Sequence, residues 1–552
     1  MQVDQTGETI LFAWGDGFVE AHIQISYDGN DASEFAWIVP VLAVPEVEVG
    51  SFRFMQNALD ASVPVYGTST GGGASCDESG GFSTVGFVQD PDGGGGSVPE
   101  IIAQDTAGAF DYVILQGGTA ESVGAWLADN GYSPDDEAPE ILQSYIDEGH
   151  VFVAFKLRTG VGVEDIHPIV LRYAGDEPCI PIRLTRIAAK DDMDIRALFL
   201  GDARVLPLNY RHVRLNRVRL DWQSNGANYA ELVAMAVDEP EADGRAFVTE
   251  YAGTSTIIDT TTLETSGYDP GAFVLAPATQ VVDQLVAQGL GFCQENSCTW
   301  SHELVPSLLH EFVPVPDGVD EAEFYACLEC YADTIDPEAW DGSAFAAAFA
   351  ERIVAPMDHA RELLASWPYL TRLYTRISPH EMIIDPTFAE QTDLPDEPSR
   401  FGAEREFGCC GTTVRLPGGR TVAIENDGSW PSWPEQMPWA ERVEQTQPSG
   451  PPATLVDRSA EIDELLAAHN ETIECGGSGS ESGVGEGPAT TAGGADTASD
   501  GGDDGAVPGS SEETGSSADA ETTNGCGCAA PRRRGELAGL VLLLALGLRR
   551  RR

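Results

Sequence analysis

The chain has 552 residues, 89 of them acidic and 31 basic, for a formal charge of −58. A surface so negative repels a phosphate backbone, which excludes nucleic-acid binding. Hydrophobic residues make up 42% of the chain, enough for real cores, so the acidity reflects solubility, life in salt or divalent-cation binding, and composition does not choose among these.

In chain order, residues 8–27 and 34–49 run in short β-branched and aromatic blocks, and Asp28-Gly29-Asn30-Asp31 between them reads as a hairpin turn. A Gly-rich loop covers 67–97. Phe110–Leu115 reads as a strand, and Ala120–Asn130 and Ala138–Asp147 carry helical spacing with Gly131 and Gly149 as stops. His150–Leu157, His167–Tyr173 and Ile180–Ala188 look like strands. Residues 210–220 alternate Arg with Val or Leu, a strand whose arginines pair with the chain's own carboxylates. From 246 to 395 helix prevails, notably over Ala276–Leu290, Ala344–Val354 and Asp358–Trp367. This order predicts an α+β fold of mixed, largely antiparallel strands with helical segments, ending in a disordered stalk and a short C-terminal hydrophobic helix. The expected organisation is a β-rich part over 1–245, a helix-richer part of the same domain over 246–395, an irregular Cys-containing extension over 396–475, an acidic Gly/Ser/Thr linker over 476–525 and a terminal signal over 526–552.

No motif for catalysis stands out. Gly67-Thr68-Ser69-Thr70-Gly71 fits G-x-S-x-G, but the Gly71-Gly72-Gly73 that follows opposes the helix a nucleophile elbow needs. His302-Glu303 and His310-Glu311 place their histidines eight residues apart, about 12 Å along a helix, with Pro306 between, too far for one metal. Asp90-Pro91-Asp92 and Asp191-Asp192-Met193-Asp194 lack the twelve-residue calcium-loop pattern and read as solvated loops. No catalytic residue, metal ligand or cofactor is therefore assigned. Cys293-x4-Cys298 and Cys327-x2-Cys330 suit either disulfides or a four-thiolate zinc site, with redox catalysis by Cys327 and Cys330 a third possibility. Disulfides are the default for an exported chain. The cysteines expected to pair are Cys76, Cys179, Cys293, Cys298, Cys327, Cys330, Cys409, Cys410 and Cys475, an odd number.

Residues 476–525 contain no Lys, Arg, aromatic, Leu or Ile, and such a segment cannot offset its ordering entropy by burial. As a flexible chain it spans roughly 39 Å. Beyond it come Cys526-Gly527-Cys528, Arg532–Arg534, the apolar run Leu537–Leu548 and Arg549–Arg552. From Gly535 to Leu548 a helix reaches roughly 21 Å, short of the roughly 30 Å hydrocarbon core, so a processed delivery signal fits better than a permanent span. Met1 opens directly into polar residues and a strand-like run, with no basic or hydrophobic leader, so the expectation is that a signal peptide and a further cysteine are encoded upstream.

The Cys-Gly-Cys site, leucine-rich helix and arginine terminus resemble the myxobacterial C-terminal sorting domain, MYXO-CTERM. The resemblance implies export, recognition by a sorting protease and retention at the cell surface, with Cys526, Gly527 and Cys528 as the processing or anchoring residues. The stretches Ile10–Ser51, His167–Tyr210 and Tyr369–Phe388 together resemble the bacterial domain-of-unknown-function family 2330, over roughly residues 5–395. That family implies export and no assigned activity. The expected partners are the sorting protease and export machinery, the membrane through the C-terminus, and an unknown surface ligand. The expected role is a non-catalytic binding or structural module of the cell envelope on a flexible stalk; the alternative is an exported hydrolase with dispersed active-site residues.

Overall fold

Strands Gln5–Gly15 and Phe18–Tyr27 pair antiparallel with Gly15 opposite Phe18, so the connection is two residues long and ends on Gly17 at φ 81°. Gly17 supplies the positive φ that a tight hairpin requires. The expected hairpin around Asp28–Asp31 does not form as a strand pair, because the strands on either side of it lie in different sheets, and Asp28–Asp31 themselves lie outside the described residues. The next strand, Ala36–Val41, pairs with Val151–Leu157 in a different sheet. The computed structural model describes residues 5–473 except 16, 28–35, 71–99, 130–137, 159–165, 188, 295, 336–339, 409–410, 425–427 and 448–449.

A ten-stranded sheet organises the chain. Its order is Ala453–Asp457, Ala440–Gln445, Arg211–Leu215, Ala246–Thr254, Tyr369–Ile377, Met193–Gly201, Gln5–Gly15, Phe18–Tyr27, Ile169–Ala174 and Glu46–Val49. Only Gln5–Gly15 with Met193–Gly201, and Arg211–Leu215 with Ala246–Thr254, run parallel, so the fold is α+β and largely antiparallel as expected. Ile10, Phe12, Val19, Ala21, Ile23 and Phe199 face a core shared with a four-stranded sheet (Ala36–Val41, Val151–Leu157, Phe110–Gln116, Glu100–Ala107) and the helices Ala120–Asp129 and Ala138–Asp147. Leu11, Ala13, Leu198, Leu200 and Leu370 face a second core built by helices Phe52–Ser62, Val281–Ala287, Val305–Phe312, Gly342–Phe349 and Ala355–Ser366. Both faces are covered, which is why Ile10-Leu11-Phe12-Ala13 is continuously apolar rather than alternating.

Several expectations are corrected. Ile180–Ala188 is not a strand: Ile182–Thr185 is a helical turn begun after Pro181, and Asp385 captures both the Arg183 backbone N–H (2.9 Å) and its Nε (2.6 Å). A tertiary anchor thus overrides the alternating Ile180, Ile182, Leu184 pattern. Ala276–Leu290 contains only a 3-10 turn and the helix Val281–Ala287. The extension 396–475 is not irregular. Arg400–Gly408 pairs in parallel with Val65–Thr70, Gly411–Arg415 and Thr421–Ile424 complete that sheet, and Ile462 and Leu466 of the helix Ser459–Ile473 share a core with Val414, Val422 and Ile424. Ala440–Gln445 joins the large sheet beside Arg211–Leu215. Among the described residues no helix is long and apolar enough to cross a membrane, and the linker and terminal signal lie outside them.

His167 shows how tightly the layers interlock. It is buried, its Nε2 accepts the Ala109 N–H at 2.9 Å, and its Nδ1 therefore donates to the Pro168 carbonyl at 2.8 Å. A Cβ on Gly108, whose φ is 57°, would meet Nε2 at 2.1 Å. Burial pushes the His167 pKa down to about 4, and burial likewise pushes His150 and His302 to about 3. These imidazoles are neutral when folded and titrate near 6.5 when unfolded, so the unfolded chain binds more protons across this interval. Their stabilising contribution is complete above pH 6.5 and falls as pH drops toward 4. The expected outcome is a thermal midpoint that declines from pH 7 to pH 4. His167→Gln should remove roughly 3 kcal/mol of that dependence while lowering stability at pH 7. A slope unchanged in the variant would show that His167 does not contribute.

Candidate functional site

The strand Arg211–Leu215 lies between Ala246–Thr254 and Ala440–Gln445, and this junction borders a cavity of about 510 Å³. His212 stands directly opposite Glu444 in the register, and its Nδ1 hydrogen-bonds the Glu444 Oε2 at 2.9 Å. Its Nε2 meets the Thr249 hydroxyl at 2.9 Å on the other neighbouring strand. Burial lowers the His212 pKa despite the opposing hydrogen bond to Glu444, which favours the neutral ring. That ring donates from Nδ1 to the carboxylate and accepts from Thr249 at Nε2. Burial alone would raise Glu444, but the His212 hydrogen bond and the charge of Arg214 hold it below its ordinary range.

Glu397 enters from the chain that bridges the edge of Ala246–Thr254, fixed by paired 2.8 Å hydrogen bonds to Ala252. Three guanidinium groups converge on its carboxylate: Arg217 at 2.9 Å, Arg214 at 3.6 Å and Arg204 at 3.9 Å. Arg214 also reaches Glu444 at 3.4 Å. Arg204 is only 2% exposed and its Nε has no partner, although Nη1 donates to the Pro395 carbonyl at 2.8 Å. The Arg217 guanidinium stacks over Phe401 at 4.0 Å, and Tyr66 and Tyr229 line the same cavity. Arg420 is held by both oxygens of Glu441 and by Asp463. Of the 210–220 arginines, Arg214 and Arg217 thus pair with the chain's own carboxylates and share Glu397 with Arg204 inside the cavity, whereas Arg211 reaches the Gln445 amide oxygen and Arg219 donates to the Met437 and Pro434 carbonyls.

A second constellation joins Glu20, His22 and His359, whose ligating atoms lie within 4.8 Å of one another. Glu20 Oε1 is 2.8 Å from His22 Nε2 and 2.6 Å from His359 Nε2. Burial works against ionisation of Glu20, yet the hydrogen bonds and charges of the two histidines hold its pKa well below the usual range. The hydrogen bond to Glu20 raises His359. Sequence reasoning missed this cluster and the His212 site. The usable signal was Glu20-Ala21-His22-Ile23-Gln24, polar residues alternating in a strand whose outer face helices cover.

The residues singled out from the sequence are dispersed. The Ser69 hydroxyl donates to the Ala403 carbonyl at 3.4 Å. His302 is buried and accepts the Leu304 N–H, whereas His310 pairs with Glu321 at the surface and Glu311 binds Arg352 and Arg158. Asp194 is not in a solvated loop: it is buried, bound by Tyr374, Arg376 and Arg196. Cys293–Cys298 and Cys327–Cys330 are disulfides, which removes the four-thiolate zinc alternative, and Cys179 is also disulfide-bonded. Cys76, Cys409, Cys410, Cys475, Cys526, Gly527, Cys528 and the Asp90-Pro91-Asp92 stretch lie outside the described residues.

Fold and cavity define an α+β protein with a charged, arginine-lined pocket at a sheet junction. Residues 2–266 are similar to the family described as uncharacterized protein conserved in bacteria, DUF2330. The match ends well before residue 395, where the resemblance had been placed. No curated protein and no solved structure matches the chain.

Alkylation of the denatured, unreduced protein should leave Cys293, Cys298, Cys327 and Cys330 unlabelled, and reduction should expose all four. Replacing Cys293 and Cys298 by serine should cost about 2 kcal/mol, since the loop they close is short. Full labelling before reduction would overturn the disulfide assignment.

Proposed function

We propose that the chain is an exported, cell-surface binding module whose pocket takes a small anionic ligand, best matched by an acidic saccharide. The observation that carries this reading is the convergence of Arg204, Arg214 and Arg217 on Glu397, with Arg214 also reaching Glu444, inside a cavity of about 510 Å³, in a chain with only 31 basic residues. Guanidinium forks match carboxylate and phosphate oxygens, and donors left over after Glu397 is served can be taken by a ligand's acid group. Tyr66, Tyr229 and Phe401 add flat faces against which a sugar ring packs. Export and display are supported by the Cys-Gly-Cys, leucine-run and arginine ending, by the roughly 39 Å of linker before it and by the disulfides.

Titration calorimetry of the purified protein with oligouronates and with neutral oligosaccharides of equal length should show binding only to the acidic series, weakening as salt rises. The double variant Arg214→Gln, Arg217→Gln should weaken it at least about tenfold, in line with the worth of charge-assisted hydrogen bonds. Equal binding of neutral sugars, or a variant indistinguishable from the parent, would sink the pocket assignment. Recovery of the intact chain, terminal arginines included, from the cytosolic fraction would sink the display assignment separately.

A second reading, an exported hydrolase, is favoured by the line Glu444, His212, Thr249. A carboxylate orients a neutral imidazole whose free lone pair faces a hydroxyl, the arrangement that activates an oxygen nucleophile. The strand register also breaks between Thr249 and Tyr251, a local irregularity of the kind found beside active sites. In this reading Thr249 Oγ1 attacks an ester carbonyl and its proton passes to His212 Nε2 and on to the leaving alcohol. Water then releases the acid and restores the hydroxyl. Ester turnover that disappears in both Thr249→Ala and His212→Gln, with ligand affinity retained in Thr249→Ala, is the expected result. Turnover surviving in Thr249→Ala would discard the mechanism.

A further inference from the structure

The strand Phe18–Tyr27 alternates by side: Val19, Ala21 and Ile23 enter the core facing the four-stranded sheet, while Glu20 and His22 turn to the face covered by helices. Glu20 is 2% exposed and His22 1% exposed. The His22 ring packs edge-on against Phe54 and lies parallel to His359 at 6.0 Å. Its Nδ1 has no partner, so the hydrogen bonding of this buried imidazole rests on Nε2. His359 comes from the helix Ala355–Ser366, and its Nε2 points at the same Glu20 oxygen. The other Glu20 oxygen faces the Arg172 guanidinium at 4.0 Å, which leaves Oε1 as the acceptor turned to both rings.

The helix that brings His359 is shaped for its position. Gly342–Phe349 passes through a π-helical turn, Ala350–Val354, in which the Ala355 N–H bonds the Ala350 carbonyl, and Pro356 follows at the start of the next α-helical segment. Proline has no N–H to give the carbonyl one turn back, and the π turn absorbs that loss by adding a residue. Such turns occur often at functional sites.

We propose that Glu20 Oε1, His22 Nε2 and His359 Nε2 bind one divalent transition-metal ion. Two imidazoles and one carboxylate suit zinc and its first-row neighbours, whereas magnesium and calcium demand more oxygen ligands. Three protein ligands leave a position open. Beside His359 lies a cavity of about 310 Å³ lined by Val47, Glu48, Thr106, Glu351 and Pro356, from which water or a small ligand can reach the fourth position. The cluster shares no residue with the arginine pocket, so the two assignments stand or fall separately.

The test uses the purified full chain, stripped with chelator and titrated with Zn²⁺, and with Co²⁺ for its visible absorption. The parent should bind one equivalent, with Co²⁺ bands of four-coordinate intensity, and millimolar Mg²⁺ or Ca²⁺ should not displace it. His359→Gln should weaken Zn²⁺ binding at least about 100-fold, since even loss of a partner that only orients a ligand costs about 10–100-fold. Because the His359 side chain is 32% exposed, this variant should keep the parent's circular dichroism, with a somewhat lower metal-free melting temperature from the lost hydrogen bond to Glu20, and affinities are compared at a temperature where both proteins are folded. Glu20→Gln, a near-isosteric change, should weaken binding in parallel. Absence of stoichiometric binding by the parent, equal affinity in parent and His359→Gln, or displacement by Mg²⁺ would each overturn the site.

Discussion

The large sheet is buried on both faces at its centre, and that constraint governs where every polar group in its strands can go. Gln5–Gly15 sends Ile10 and Phe12 into one core and Leu11 and Ala13 into the other, and all four are fully buried. A charged side chain placed in such a strand has no route to water, and leaving it unpaired costs several kcal/mol. Each one is therefore answered across strands or from a covering helix. Glu250 meets Arg372, Asp194 collects Tyr374, Arg376 and Arg196, and Glu444 meets His212.

Pairing alone does not make a site, and the same sheet holds examples of both kinds. Arg372 spends its guanidinium on Glu250, the Leu59 carbonyl and the Ser62 hydroxyl, a closed set that fastens the helix Phe52–Ser62 to the sheet. Arg204, Arg214 and Arg217 differ, because they crowd one carboxylate beside empty volume and Arg204 Nε stays unanswered. Glu20 is likewise oversubscribed, with two imidazoles on one oxygen and a cavity beside one of them. It is this unequal stoichiometry next to open space that motivates the two proposed sites.

Much of the fold was legible in local pattern. Phe110–Gln116, Val151–Leu157 and the helices Ala120–Asp129 and Ala138–Asp147 lie where periodicity and glycine stops place them, because each buries its apolar residues in the way its period implies. Ile180–Ala188 misled because Asp385, about two hundred positions away, fixes Arg183. The extension after 396 looked irregular because its strands are short and their partners, Val65–Thr70 and Arg211–Leu215, are remote in sequence. The sites were illegible for the same reason. His22 and His359 are separated by most of the chain and meet because a helix covers the sheet, and Arg214 and Glu444 are no closer in pattern and meet through the register of neighbouring strands.

The extent of the family match sharpens this point. Residues 2–266 contribute seven strands to the large sheet, but Tyr369–Ile377 lies between Ala246–Thr254 and Met193–Gly201, so the matched stretch cannot close the sheet without a strand from beyond its end. The sites divide at the same boundary. Glu20 and His22 fall within the match and His359 outside it; His212, Arg214 and Arg217 fall within it and Glu397 and Glu444 outside. Neither constellation is complete in the matched stretch, because the strands and helices that seal the sheet also deliver the opposing ligands. Both proposed sites therefore depend on the complete sheet, and a chain that shared only residues 2–266 would keep the arginines and the buried glutamate while losing the groups that face them.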